Sequence, residues 1–469
     1  MSIKIQCVGA AQTVTGSRHL IHTAYSTVLL DCGQFQGHRR ESLERNQDLG
    51  FDANKIDAVV LSHAHIDHSG ALPMLCKQGF QGEIYTTPAT RDLCAVMLED
   101  AAMIQASDAR YLNRAIEREH VDAEPIQPLF DQDDVAMTLA HMTSVPYRRR
   151  HQIARDAWLT FLDAGHVLGS AICVLDIEDN GEHKRLVFTG DLGRRGAPIL
   201  RDPELPEGAH ILISESTYGD RVHPPLASMD EELAQVLTRT HARGGKVVIP
   251  SFALERAQQL ILSIKTLRKA GKVPRVPVYV DSPLAVNITE VFRLHPECYD
   301  ADTRSHLQGG DSPFEFDGLH YTESPDDSRA INRTNEPCVI IAASGMCEAG
   351  RVLHHLRATV EDRKNTVVIV GFQAQHTLGR RIVERRQRIR IFGVERSLNA
   401  EVVVMNGFSA HADQTELLAF AESVRQRGPL RDVVLVHGEP RAQAALKSRL
   451  VDRGFPTVHV PARGDIIAV

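Results

Sequence analysis

Four side chains able to bind metal fall within six residues of one another in Leu61-Ser-His63-Ala-His65-Ile-Asp67-His68, directly after an apolar segment. Ala58 to Leu61 reads as a buried strand, and the motif occupies the turn that follows it. In extended backbone the side chains alternate with period two, so His63 and His65 project to one side and both imidazoles can reach a single cation. Asp67 and His68, beyond the turn, can face a second cation ~3.5–4 Å away, the separation used by two-metal hydrolases.

The eight cysteines, Cys7, Cys32, Cys76, Cys94, Cys173, Cys298, Cys338 and Cys347, are scattered through apolar runs without a CxxC pair. That usage suits reduced, buried thiols rather than a disulfide frame or a thiolate metal site. A metal must then be held by imidazole and carboxylate, a donor set that suits zinc and admits manganese.

The 469 residues, 43% hydrophobic and 24% charged, have the composition of a globular protein, and their length predicts two or three domains at ~150 residues each. No segment approaches the ~20 apolar residues needed to span a bilayer, so no membrane partner is expected. The start, Met1-Ser-Ile-Lys-Ile-Gln-Cys7, goes straight into an alternating strand pattern rather than a signal peptide, which predicts a cytoplasmic protein. A net charge of −7 argues mildly against a nucleic-acid partner, but a metal centre supplies positive charge locally.

Short strands are predicted at Ile3 to Val8, Thr27 to Leu30, Ala58 to Leu61, Ala171 to Ile177, Leu186 to Thr189 and Ile211 to Glu215, with helices at Thr90 to Arg110 and Tyr111 to His120. From Ser228 the rhythm changes to long helices alternating with buried-type strands: Met229 to Ala242, Lys246 to Pro250, Glu255 to Ala270, Val276 to Asp281. That alternation predicts a parallel sheet flanked by helices. The stretch Gly309 to Pro337 reads as loop with some local structure, and from about Val402 short strands return. The expected organisation is one domain split by the insertion of another.

The histidine motif resembles the HxHxDH signature of the metallo-β-lactamase fold, and further signatures follow in order. Asp31 ends the strand in Leu29-Leu30-Asp31-Cys-Gly33, His166 sits in Ala-Gly165-His166-Val-Leu-Gly169, and Asp191 follows a strand in Phe188-Thr-Gly190-Asp191. Given that resemblance, charge and geometry assign His63, His65 and His166 to one metal and Asp67 and His68 to the other, with Asp191 bridging both. Asp31 is expected to orient ligands and the bridging water from behind. Two Zn²⁺ ions per chain are expected, with Mn²⁺ as the alternative, making a bridging water nucleophilic at neutral pH.

Three downstream motifs, Ile213-Ser-Glu215-Ser-Thr-Tyr-Gly219, Gly407-Phe-Ser-Ala-His411-Ala-Asp413 and Leu435-Val-His437-Gly-Glu439-Pro440, resemble motifs A, B and C of the β-CASP nucleases. That family includes ribonuclease J and the nuclease of the pre-mRNA cleavage and polyadenylation machinery. The resemblance covers nearly the whole chain. It includes Asp281-Ser-Pro283 and the segment from Ala343-Ser344-Gly345-Met346 through Arg351-Val-Leu-His354-His355-Leu356, similar to the archaeal and bacterial cleavage-factor branch. It implies an α/β protein: a metallo-β-lactamase αββα sandwich, residues 1–217 and 376–469, with an inserted parallel β-CASP cap, 218–375, closing over the metals.

Carried over residue by residue, the resemblance makes His437 the last ligand of the second metal. His411 protonates the leaving oxygen with Glu215 holding it, and Asp67 serves both as ligand and as catalytic residue. A general acid is needed because a ribose alkoxide leaves badly unprotonated. Histidine at motif C implies RNA as the substrate, and the cap implies that only a single strand threads in, cut internally, from the 5′ end, or both, in RNA processing or decay. A DNA nuclease of the same family is the alternative; a small-molecule metallohydrolase or a silent scaffold fits less well.

Ser344, Gly345 and Met346 are implied to bind a phosphate, with Arg256, His354 and His355 as further candidates. The run Gly379-Arg380-Arg381-Ile-Val-Glu-Arg385-Arg386-Gln-Arg388-Ile-Arg390 either tracks RNA backbone or is a solvated face. His376 stands where the family pattern has glycine. The chain begins at the catalytic fold and stops at Val469, so neither an N-terminal RNA-binding module nor the C-terminal domain of ribonuclease J is expected; a homodimer is plausible for an enzyme of this size.

Overall fold

The protein is described from a computed structural model covering residues 3–37, 39–119, 125–179, 181–371 and 373–469. It divides into two compact units, Met1–Arg195 with Asp202–Val222 and His411–Val469, and Gly196–Arg201 with His223–Ala410.

The first unit contains two seven-stranded sheets. One runs in space as Ile466–Ala468, Lys4–Cys7, His19–His22, Thr27–Leu30, Ala58–Val60, Glu83–Thr86 and Met142–Ser144, antiparallel at its start and parallel from Thr27–Leu30 onward. The other runs as Thr457–His459, Asp432–Leu435, Ile211–Ser214, Glu182–Phe188, Ala171–Asp179, Ala157–Asp163 and His151–Ala154. Ile5, Val28 and Val60 of the first sheet share one buried cluster with Leu159, Phe161 and Cys173 of the second, so the sheets pack face to face. Each fully buried Leu, Ile or Phe in that layer contributes roughly 1.5–3 kcal/mol.

The other face of the second sheet is covered by the helices Gln414–Arg427 and Pro440–Asp452, through Leu417, Phe420, Leu446 and Leu450. The arrangement is an αββα sandwich. Its parallel strands, such as Val28-Leu29-Leu30 and Ala58-Val59-Val60, are apolar at successive positions because both faces are covered.

In the second unit six strands form an all-parallel sheet in the order Leu319–Tyr321, Val278–Val280, Val339–Ala342, Val247–Pro250, Thr366–Ile369, Glu401–Val404. Beside them Arg388–Ile391 and Val394–Ser397 form an antiparallel hairpin. The mixed α/β class and the inserted parallel sheet agree with the sequence-based expectation.

One expectation needs correction. Thr90 to Arg110 and Tyr111 to His120 belong to one helix, Pro88–Glu119, since nothing across Asp108-Ala-Arg110-Tyr111 breaks it; His120 lies outside the described residues. Glu401–Val404 pairs with Thr366–Ile369 and completes the sheet of the second unit, which extends to Ala410. Among the described residues no helix is long and apolar enough to cross a membrane.

Candidate metal centre

All the residues expected to bind metal lie in the first unit and leave the carboxyl ends of its strands. Leu30 and Val60 are register partners in parallel strands, so Asp31 and the His63 turn emerge from the same edge. In the second sheet Phe188 pairs with Ile213 and Ser214 with Leu435, which brings Asp191, Glu215 and His437 out of one edge. Close backbone approach holds the first turn: a Cβ on Gly33 would lie 1.6 Å from the Asp67 carbonyl oxygen. Any side chain at Gly33 would therefore push Asp67 away.

His63, His65, His166 and Asp191 form one group whose donor atoms all lie within 4.8 Å of one another, and Asp67, His68 and His437 form another. Asp191 reaches into both. Its Oδ2 is 3.6 Å from Nε2 of His63 and of His166 and 3.4 Å from Nε2 of His68, and its Oδ1 is 3.3 Å from Nδ1 of His437. The Asp67 Oδ2 lies 3.6 Å from His437 Nε2.

Bare nitrogens face each other across the site: His63 Nε2 and His65 Nδ1 at 3.1 Å, His166 Nε2 and His65 Nδ1 at 3.4 Å, His68 Nε2 and His437 Nε2 at 3.2 Å. Two imidazole lone pairs at such separations require a proton or a cation between them. The Asp191 Oδ1 is buried with no hydrogen-bond donor among the described residues. An orphaned carboxylate oxygen ringed by converging imidazoles fits a metal centre.

The electrostatics agree. Burial, reinforced by the charge of His68, holds His63 well below the usual imidazole range, and burial brings His65 down to about 4, so both stay neutral and ready to ligate. Burial would also lower His68, but the Asp191 and Asp31 carboxylates outweigh it and lift His68 well above that range. Burial opposes ionisation of Asp191, and the surrounding His437 and His68 overcome it, keeping the carboxyl well below the usual carboxylate range. The acids at this point favour positive charge.

Asp31 stands behind His68. Its Oδ2 accepts from His68 Nδ1 at 2.7 Å and from the Ser62 and Ser17 hydroxyls at 3.0 and 3.2 Å, while Oδ1 accepts from Ser62 N–H at 2.8 Å. Those bonds turn His68 Nε2 toward Asp191. On the other side the Thr217 hydroxyl lies 3.1 Å from His437 Nδ1. Ser17, Ser62 and Thr217 were missed in the sequence; only adjacency to His63 and Glu215 marks the last two.

His411 lies beside the cluster. Its Nδ1 is 3.2 Å from both oxygens of Glu215 and 3.9 Å from Asp191 Oδ2. Glu215 is fully buried and also accepts from Leu192 N–H at 2.6 Å. Burial would lower His411, but Glu215 and then Asp191 raise it to about 9. Motif B divides its labour: Asp413 caps the helix Gln414–Arg427 in a capping box with Glu416, worth about 1 kcal/mol, and so anchors His411 two residues earlier. The side chains of His411 and Asp67 are 21% and 20% exposed against 4% or less for His63, His68, His166, Asp191 and His437, and His65 is also partly exposed, so these three are the donors most open to solvent.

The candidates for substrate contact lie in the second unit. Ser344 is half-buried, its hydroxyl bonded around its own turn to Glu348 N–H and to Ala349. Gly345 is required, since a Cβ would lie 2.8 Å from the Phe252 ring, and Met346 accepts from Gly379 N–H at 3.1 Å. Arg256 is nearly buried and donates to Gln259 at 2.8 Å. His355 is fully buried with both nitrogens engaged, Nδ1 with Asn332 at 2.9 Å and Nε2 with Asp281 at 2.6 Å, and presents neither to a substrate. His354, its neighbour, is exposed and packs on Phe392. His376 has φ +71°, the left-handed region that glycine enters freely, which accounts for the glycine expected there.

Comparison with known proteins places these features. Residues 19–148 match the family model of the metallo-beta-lactamase superfamily, 257–382 that of the Beta-Casp domain, and 396–461 that of the Zn-dependent metallo-hydrolase RNA specificity domain. The chain is 38% identical over 452 residues to Ribonuclease TTHA0252 of Thermus thermophilus, covering 96% of this chain and 97% of that protein. It is 34% identical over 458 residues to Transcription termination factor FttA of Methanosarcina mazei, covering 95% of this chain and 68% of that one. A solved structure, a protein of unknown function from Enterococcus faecalis, shares the fold at TM-score 0.53 with 14% identity over 100% of both chains. The chain belongs to the β-CASP family of the metallo-β-lactamase superfamily.

Proposed function

We propose that the protein is a zinc-dependent ribonuclease that hydrolyses single-stranded RNA in the cytoplasm by a two-metal mechanism. The observation that carries this reading is a His411–Glu215 pair, with 3.2 Å contacts, set beside two groups of metal donors that share Asp191. Expulsion of a ribose alkoxide needs a proton donor beside the leaving oxygen, which a thioester, with its stable thiolate leaving group, does not. One relative is named a ribonuclease, and an RNA specificity domain matches the region that includes His411 and His437, which favours RNA over DNA.

His63, His65, His166 and Asp191 would hold one ion, and Asp67, His68, His437 and Asp191 the other. When bound, the ions supply Lewis acidity that makes a water nucleophilic at neutral pH. Asp31 keeps His68 Nδ1 occupied, so that only Nε2 is offered as a donor. Glu215 likewise occupies His411 Nδ1, which leaves the His411 Nε2 proton to pass to the leaving ribose oxygen. Ser344, Gly345, Met346 and Arg256 remain the proposed phosphate contacts; His355 acts through Asp281 instead of touching substrate.

Incubation of purified protein with end-labelled RNA and matched DNA, with and without chelator and beside His437→Ala, tests this. The expected result is chelator-sensitive cleavage of RNA, little action on DNA and a severe loss in the variant. Equal rates on both polymers would move the assignment to a DNA nuclease, and full activity after thorough metal removal would end the metallohydrolase mechanism.

A further inference from the structure

Between Arg380 and Arg396 the chain carries seven arginines against two glutamates, an excess of five positive charges in a protein whose net charge is −7. The second unit folds that segment as the helix Leu378–Val383 followed by the hairpin Arg388–Ile391 and Val394–Ser397. Two features result. One is a cavity of about 310 Å³ lined by Gln375, His376, Arg380, Arg381, Glu384 and Arg386. Three guanidinium groups against one carboxylate leave it with two excess positive charges.

Glu384 accepts from Arg380 Nε and Arg386 Nε, both at 2.9 Å, which holds two guanidinium groups in place while leaving further N–H donors on each. Those bonds keep Glu384 below the usual carboxylate range, so it stays charged as an anchor. The Arg381 and Arg390 guanidinium groups have no hydrogen-bond or ion-pair partner among the described residues. A concave site with preplaced planar forks is suited to phosphate oxygens.

The second feature is the outer face of the hairpin. Ile389 and Ile391 are 2% and 1% exposed, and the alternation of the strand therefore turns Arg388 and Arg390 outward, while Phe392 follows in the turn beyond at φ +53°. Phe392 is 49% exposed, with the Arg357 guanidinium 5.5 Å from its ring centroid and the His354 ring at 4.7 Å. A lone exposed phenylalanine means little. Here it stands at the end of the strand that carries Arg388 and Arg390, with the Arg357 guanidinium beside its ring, and basic surfaces with interleaved aromatics are how proteins bind single-stranded nucleic acid without sequence preference.

We propose that this segment is an accessory single-stranded RNA contact, in which the Arg380–Arg381–Arg386 cavity takes a backbone or terminal phosphate and Phe392 stacks on a base. The proposal rests on the ribonuclease reading and deepens it by naming where on the second unit the polymer is held. The arginines set salt dependence and Phe392 adds stacking. Neither group belongs to the metal donors or to the His411–Glu215 pair, which act on the phosphodiester itself.

The test measures binding of fluorescein-labelled single-stranded RNA to zinc-loaded protein by anisotropy on ice across a salt series, with hydrolysis of bis(p-nitrophenyl) phosphate alongside. Arg381→Ala with Arg390→Ala is expected to make the log–log salt slope shallower by about 0.7 per lost contact. Phe392→Ala is expected to weaken binding about five-fold or more, the low end for loss of one stacked base. Small-diester turnover should match wild type throughout.

Unchanged RNA affinity and slope in these variants overturns the proposal. So does a parallel fall in small-diester turnover, which would mean that the substitutions act on the fold. Loss of binding to phosphatidylserine vesicles with RNA affinity intact overturns it in favour of a lipid surface. If wild type binds RNA through these arginines yet cleaves none, the contact stands and the ribonuclease reading falls; if it cleaves RNA and the variants bind equally well, the reverse holds.

Discussion

Glu215→Gln isolates the charge of the buried carboxylate with little change of shape. The glutamine oxygen can still accept from Leu192 N–H or from His411, but the negative charge 3.2 Å from His411 Nδ1 is gone. At an effective dielectric of about 20, opposite unit charges about 4 Å apart attract by about 4 kcal/mol. That equals about three pKa units and matches in size the rise of His411 from the ordinary imidazole value to about 9. Bound cations push His411 the other way, which makes Glu215 the group that keeps its proton in the working enzyme.

The general acid acts in its protonated form, so activity falls as pH rises through its pKa. In Glu215→Gln the alkaline limb of the kcat/KM profile on RNA should move down by about two to three units, and at pH values above the wild-type limb the deficit should reach about a hundred- to a thousand-fold. On bis(p-nitrophenyl) phosphate the leaving phenolate departs without a proton, and the deficit should shrink to a few-fold. An alkaline limb within about half a unit of wild type, or an equal deficit on both substrates, refutes the role given to this pair. The metal-free protein offers a second reading: with its folded pKa raised, His411 contributes stability that is full below about 6.5 and lost as pH rises through about 9, and Glu215→Gln should flatten that dependence.

Asp31→Ala removes the acceptor of His68 Nδ1 and should lower metal affinity about 10–100-fold in a zinc titration; wild-type affinity would show that His68 is oriented without it. In the second unit Asp281 is fully buried and accepts from Arg351 at 2.6 Å, Ser328 at 2.5 Å and His355 at 2.6 Å. Asp281→Ala strands those partners and should cost about 3 kcal/mol or more in denaturant unfolding, and an effect below about 1 kcal/mol would mean that the network is not cohesive. His376→Gly relieves a left-handed backbone and should stabilise by about 0.5–1 kcal/mol in a thermal melt; destabilisation would show that the imidazole's contacts outweigh the strain.

Much of the metal centre was legible because its ligands sit at strand ends, where an apolar run followed by a polar turn is a local pattern. His63, His65, Asp67 and His68 are adjacent in sequence and needed only the geometry of a turn. His166, Asp191 and His437 could be assigned only through family resemblance, because their convergence depends on the parallel pairing of Leu186 to Phe188 with Ile211 to Ile213 and of that strand with Asp432 to Leu435. The hydroxyls of Ser17 and Thr217 left no readable signal for the same reason: serine and threonine beside a motif occur everywhere, and only the fold shows which of them face Asp31 and His437.

What the sequence determined by itself was the donor chemistry, the αββα sandwich with an inserted parallel sheet, and a glycine-like position at His376, all encoded in neighbouring residues or in a family pattern. The tertiary structure alone decided that Glu401–Val404 completes the sheet of the second unit, that His355 is spent on Asp281 and Asn332, and that Arg388 and Arg390 face outward while Phe392 packs beside His354 and Arg357. Each of those facts depends on which distant segment a strand pairs with or which side chain fills a buried contact. Both are settled by packing over the whole domain, which a local run of residues does not specify.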